Sequence, residues 1–140
     1  MFTEAEINEL RADAESMMTL TLKAWEPNGT ALVDGYKQQT YADRGTTIGK
    51  VQGSSQAGRD PEARTVRIGE VERPVLAGGV HIPISATVPV GGLQRGKGWE
   101  YEVVAVGAGD DPALVGRRYL VVEVPVKSKA TARRLDVVEV

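Results

Sequence analysis

The sequence contains no cysteine. Disulfides and thiolate metal sites are excluded, and a reducing compartment is compatible with the chain. It has one histidine, His81, which rules out a metal site built from several imidazoles. Aromatics are scarce, with two Trp, four Tyr and one Phe in 140 residues. Nucleic-acid stacking platforms need exposed rings, so a β-barrel module that binds nucleic acid in the cell is a remote reading. A dominant charge is lacking too. Formal net charge is −2, whereas a general nucleic-acid binder shows a strongly basic balance. A ring whose basic residues all face one way is still compatible with that figure. No apolar run approaches the ~20 residues of a bilayer-spanning helix. The first residues are acidic and amphipathic rather than basic then apolar, so no signal peptide is expected. The cytoplasm is the expected place of synthesis and of residence until assembly.

What is present points to one domain over residues 1–140. A chain of this length buries roughly 68–70% of its unfolded surface, enough for its own core. Many glycines and few aromatics mean a thin core with many turns. The expected fold is mainly β: a small β-barrel or sandwich with one N-terminal α-helix and a long loop. The helix is expected within residues 1–18 and the barrel over 19–140.

Thr3-Glu4-Ala5-Glu6 reads as a capping box, with Phe2 and Ile7 placed as a hydrophobic staple. Ile7, Leu10, Ala14, Met17 and Met18 recur at helical spacing, predicting a helix from about Glu4 to Ser16 or Met18. Its apolar stripe is narrow. It packs either on its own barrel or on a neighbouring subunit or other partner. Thr19 to Glu26 alternates as a half-buried strand, and Pro27-Asn28-Gly29 reads as its closing turn. Trp25 falls on the polar face, as a lid over a barrel end or as an interface anchor. Tyr36 to Ala42 and Thr46 to Gln52 read as two strands around Asp43-Arg44-Gly45.

Gly53 to Glu62 has no apolar periodicity and reads as a long loop, a kind that is mobile or functional. Arg59, Arg64 and Arg67 put positive charge in and just after it. Val66, Ile68 and Val71 follow in one apolar segment. Val80, Ile82, Ile84, Ala86 and Val88 then alternate with polar residues, predicting a strand that is an edge or bulged at Pro83. His81 sits on its polar side as a surface residue.

The chain carries no catalytic constellation. Ser54-Ser55 has no histidine nearby in sequence, and Asp110-Asp111 precedes Pro112 as a turn. The glycine cluster at 91, 92, 96 and 98 lacks a Gly-Lys-Ser/Thr ending and precedes a strand, so it is no phosphate loop. An enzyme is not expected, and no cofactor or metal is.

Two arginine pairs open the last two strands. In Arg117-Arg118 and Arg133-Arg134, adjacent side chains point to opposite faces. Each pair must find carboxylates such as Glu100, Glu102, Glu123 or Glu139, or serve a subunit contact or a DNA phosphate. Arg117 to Val124 is rich in β-branched residues between Gly116 and Pro125. Leu135, Val137 and Val140 make a closing strand.

The stretch Asp111-Pro112-Ala113-Leu114-Val115-Gly116-Arg117-Arg118-Tyr119, with Lys129-Ala130-Thr131-Ala132-Arg133-Arg134-Leu135, resembles the C-terminal signature of a tailed-bacteriophage family. These are head–tail connector proteins of the head-closure, or stopper, type. The resemblance continues through Val80-His81-Ile82-Pro83-Ile84-Ser85 and more faintly through Met18-Thr19-Leu20-Thr21-Leu22. Trp99-Glu100-Tyr101-Glu102-Val103 departs from the Gly-Asp-Val-Val-like strand start of that pattern. The resemblance implies a structural virion protein of the neck, forming a ring of six or twelve copies below the portal. It implies closure of the DNA-filled head, a platform for the tail, and genomic double-stranded DNA in the lumen. The neighbours implied are a portal or adaptor on one side and a tail terminator or tail tube protein on the other, with no membrane. A tail terminator or portal adaptor of the same neck is the alternative. Trp25, Arg117, Arg118, Arg133 and Arg134 are then the expected inter-subunit contacts. The 53–62 loop with Arg59, Arg64 and Arg67 is the expected lumen or subunit contact.

Overall fold

The computed structural model describes residues 3–52, 64–76, 78–126 and 130–140. The expected mainly β fold is present. Among the described residues one α-helix, α1 (Glu4–Ser16), precedes eight strands, and a short 3-10 turn spans Pro112–Leu114. The strands are β1 (Leu20–Val33), β2 (Tyr36–Gln52), β3 (Thr65–Ile68), β4 (Val71–Pro74), β5 (Gly79–Ile82), β6 (Glu100–Ala105), β7 (Arg118–Glu123) and β8 (Arg133–Glu139). Six of them close an antiparallel barrel in the order β1-β2-β5-β8-β7-β6. The remaining pair, β3 and β4, forms a separate hairpin.

Strand alternation sorts the residues into an inside and an outside. Leu20, Leu22, Val80, Ile82, Tyr101, Val103, Tyr119, Val121, Leu135 and Val137 fill the barrel. The opposite faces of β7 and β8 present Leu120, Val122 and Val138, which meet Ile68 and Val75 in a second cluster. The β3–β4 hairpin thus covers the outside of the barrel wall. That is why β7 and β8 read as continuous apolar runs: they are buried on both faces.

α1 has the expected capping box, with Thr3 and Glu6 bonding reciprocally. The staple position Phe2 lies outside the described residues. None of the helix residues is buried. Arg11 Nε ties it to the segment before β8 by donating to the Ala130 carbonyl at 3.1 Å.

Three sequence expectations are corrected. Pro27-Asn28-Gly29 is not a turn. β1 runs straight through it as an irregularity, with Gly29 at φ +129, and pairs with β2 as far as Val33. Asp43-Arg44-Gly45 does not separate two strands. It is a bulge within one 17-residue strand, opposite the break between Lys23 and Trp25. The strand expected through Val88 ends at Ile82. Pro83 and Pro89 have no N–H for a ladder, and the chain from 83 to 99 follows an irregular course.

Candidate functional site

β1 and β2 are far longer than the barrel they belong to. β1 pairs with β6 only from Thr21 to Trp25, and β2 pairs with β5 only from Lys50 to Gln52. Beyond those points the two strands pair only with each other among the described residues. Residues 28–38 are all exposed and form a projecting ribbon. Six residues at about 3.4 Å each carry it roughly 20 Å outward. Its tip is a two-residue turn at Asp34-Gly35, both with positive φ (51° and 83°), as a primed hairpin turn demands. An Asp-Gly pair between Val33 and Tyr36 is a strong hairpin signal that the turn-like Pro27-Asn28-Gly29 obscured.

The ribbon is short of charge, with only Asp34 and Lys37 between Asn28 and Thr40. Leu32 and Tyr36 are 73% and 74% exposed. Both outer edges leave backbone donors and acceptors without a ladder partner among the described residues.

The base, by contrast, is braced. Gln39 Nε2 donates to the carbonyls of Gly29 (2.6 Å) and Thr40 (2.9 Å). Thr40 donates to Asn28 Oδ1 at 2.6 Å. Lys23 pairs with Asp43 at 2.8 Å, and Arg44 pairs with Glu26. The Lys23 bond and the Gly45 N–H hold the Asp43 carboxyl below its ordinary range.

Behind the base lies Glu100, a carboxylate on the outer face of β6 that is 0% exposed. It accepts from Arg118 Nε (2.7 Å), Arg95 Nη2 (2.9 Å) and the Tyr41 hydroxyl. Burial pushes its pKa up. The bonds from Arg95 and Tyr41 and the two guanidinium charges outweigh that, leaving it below the ordinary carboxylate range. Tyr41 is pushed up by burial and by its bond to this carboxylate. The Arg118 guanidinium lies over the rings of Tyr41 (4.6 Å) and Trp25 (5.3 Å). Trp25 itself donates from Nε1 to Glu102 at 3.1 Å and lies under Lys23.

The expected contact residues thus have places. Trp25 and Arg118 come together in this one cluster. Arg117 pairs with Glu139 at 3.3 Å, and Arg134 with Asp136 at 3.3 Å. Arg133 Nε is buried without a hydrogen-bond partner among the described residues. Arg64 reaches Glu123 (3.1 Å) and Asp136 (3.3 Å). Arg67 is exposed on β3, opposite Glu72. Arg59 and residues 53–63 lie outside the described residues. His81 Nε2 bonds the Gly78 carbonyl at 2.9 Å. Sequence reasoning missed Tyr41 and Arg95 and the full burial of Glu100. A lone Glu between Trp99 and Tyr101 at a strand start was the available sign.

A small cleft of about 220 Å³ opens at the barrel mouth between Trp99, Tyr101, Arg44 and the hydroxyls of Thr46, Thr47, Ser85 and Thr87. Among the described residues no carboxylate or imidazole lines it. Among the described residues, no group of three or more His, Asp or Glu is placed to hold a metal ion. No helix there is long and apolar enough to cross a membrane.

By architecture the chain is a small closed antiparallel barrel with a projecting ribbon and a lightly tethered helix. A family model described as a family of unknown function, DUF6093, matches residues 10–138. The chain belongs to that family. No curated protein and no solved structure matches it.

Proposed function

We propose that this protein is a structural component of a bacteriophage neck, assembling into a ring that closes the filled head and receives the tail. The observation that carries this reading is the bare ribbon. A two-stranded hairpin alone is marginal in water, and this one exposes apolar side chains at its tip. Exposed sheet edges take up further strands, so a row of copies satisfies each ribbon where a lone copy does not. The barrel is otherwise without edges, so within it the ribbon is where β-augmentation can occur. Contact of one copy's ribbon with a different surface of the next is heterologous, and such a contact makes a ring when its rotation closes. The motif at 111–119 and 129–135 supports the same reading through its resemblance to head-closure proteins. The near-balanced charge of the chain suits a wall past which DNA moves, since strong phosphate neutralisation would hold the genome in place.

The test is electron microscopy and native mass spectrometry of the purified chain, with immunolabelling of particles. Closed rings of six or twelve copies are expected, with label at the head–tail junction. Replacing Thr30 to Gln39 by Asn-Gly should keep a cooperative melt and abolish rings. A wild-type chain that never rises above monomer, or label confined to another part of the particle, overturns the reading.

A further inference from the structure

The helix raises a question that the ribbon does not answer. It is well capped, yet none of its residues is buried. Its charge is also set apart from the rest. Five of the chain's nineteen acidic residues stand in α1 beside a single basic one, so the helix carries −4 in a chain of net −2. Everything outside the helix therefore sums to +2.

The acids are ordered. Glu6, Glu9 and Asp13 are spaced i, i+3, i+7 and share one face. At 1.5 Å per residue they span roughly 10 Å. Ile7, Leu10 and Ala14 form the adjoining stripe, continued by Met17 beyond the helix end; Ile7 and Ala14 are half-buried, while Leu10 is 36% and Met17 64% exposed. The barrel has a matching row. The ladder sets Lys50 on β2 opposite His81 on β5, and His81 opposite Arg134 on β8. All three point outward, because Val80, Ile82 and Leu135 point in. Two strand spacings of about 4.8 Å put roughly 10 Å between the ends of this row. Ile48, two residues before Lys50 and on the same side, is 43% exposed.

We infer that α1 is a docking arm for a second copy of this chain: its Glu6–Glu9–Asp13 face lies across the Lys50–His81–Arg134 row of the neighbour, with Leu10 against Ile48. This deepens the ring reading, on which it rests, by naming a second contact between neighbouring copies beside the ribbon. Lengths match, Lys50 and the Asp136-held Arg134 bring positive charge to an acidic face, His81 between them offers a polar ring, and apolar residues flank both. One surface donates and a different one accepts, so every copy does both.

A charge-exchange mixture tests it. Variant one carries Glu9→Lys and Asp13→Lys; variant two carries Lys50→Glu and His81→Glu. Each should melt like the wild-type monomer and self-associate at least tenfold more weakly in sedimentation. Mixed at equal amounts they should associate again in alternation, since each helix then meets an opposite barrel. An intramolecular helix contact gains nothing from mixing. If variant two loses its cooperative melt, Lys50→Glu alone replaces it. Either folded variant associating like wild type, or a mixture that stays apart, overturns the inference. Wild-type rings unaffected by variant one would sink the helix contact and leave the ring. Open strings abolished by variant one would uphold the contact and sink the closed ring.

Discussion

Replacing Glu100 by Gln removes one charge from a position with no solvent exposure. The amide keeps one acceptor oxygen, so Arg118 Nε retains at best a neutral acceptor in place of a carboxylate, while its Nη2 is already buried without a partner among the described residues. Breaking a buried ion pair from one side costs about 3–5 kcal/mol, because the remaining charge is stranded. Here Arg95 is half exposed and regains water, and Arg118 keeps its place over two rings. The expected loss is therefore smaller, about 2–3 kcal/mol. For a domain of this size that lowers the melting temperature by roughly 10 °C. Adding Arg118→Met to Glu100→Gln should cost little more, since no stranded cation remains to be penalised. The pH dependence has a definite sign. A carboxylate whose folded pKa is depressed stabilises above its unfolded value, near 4.3, and loses that contribution as pH falls through the lower folded value. The gap between wild type and Glu100→Gln should be constant above about pH 5 and close in stronger acid. Calorimetry at several pH values reads all of this. A variant melting within about 2 °C of wild type at neutral pH, or a gap that stays open in acid, refutes the buried-cluster argument.

Three further outcomes follow from the packing. Val122→Asp puts an unpaired charge between the barrel wall and the β3–β4 hairpin, and denaturant unfolding should show a loss of about 3 kcal/mol. Burial pushes the Tyr101 hydroxyl up to about 12, so stability is full below pH 10 and falls as pH rises toward 12. Tyr101→Phe should lessen that alkaline loss, seen as a flatter urea-midpoint profile above pH 10, and an unchanged profile counts against it. Truncation after Ala130 removes β8 and opens the barrel between β5 and β7, so the product should be insoluble. A soluble, cooperatively melting fragment contradicts the closed-barrel assignment.

The helix and the last two strands were legible because their local signals agree with their tertiary roles. Thr3 and Glu6 state a cap that needs no partner, and the consecutive apolar residues of β7 and β8 reflect walls on both sides. The ribbon was not legible. Pro27-Asn28-Gly29 and Gly45 carry turn chemistry that the long pairing of β1 with β2 absorbs as irregularities, a non-local effect that no window of sequence contains. The strand through Val88 failed for the converse reason. Its alternation is sound, but Pro83 and Pro89 deny it a ladder. The Glu100 cluster joins residues from β2, β6, β7 and the 83–99 segment, so only its arginines and carboxylates, not their assembly, were visible beforehand.

The strand order has a kinetic consequence. β8 lies between β5 and β7, yet it is the last of the strands in the sequence. A chain growing from its N-terminus can zip β1, β2, β6 and β7 together while β5 and β7 still present open edges. Non-local closure is slow, and open edges in a waiting intermediate recruit other chains. The period between synthesis of β7 and arrival of β8 is therefore when this protein is most exposed to mispairing. Slowing elongation between Glu123 and Arg133 lengthens that period and should lower the soluble yield while leaving the finished fold as stable as before.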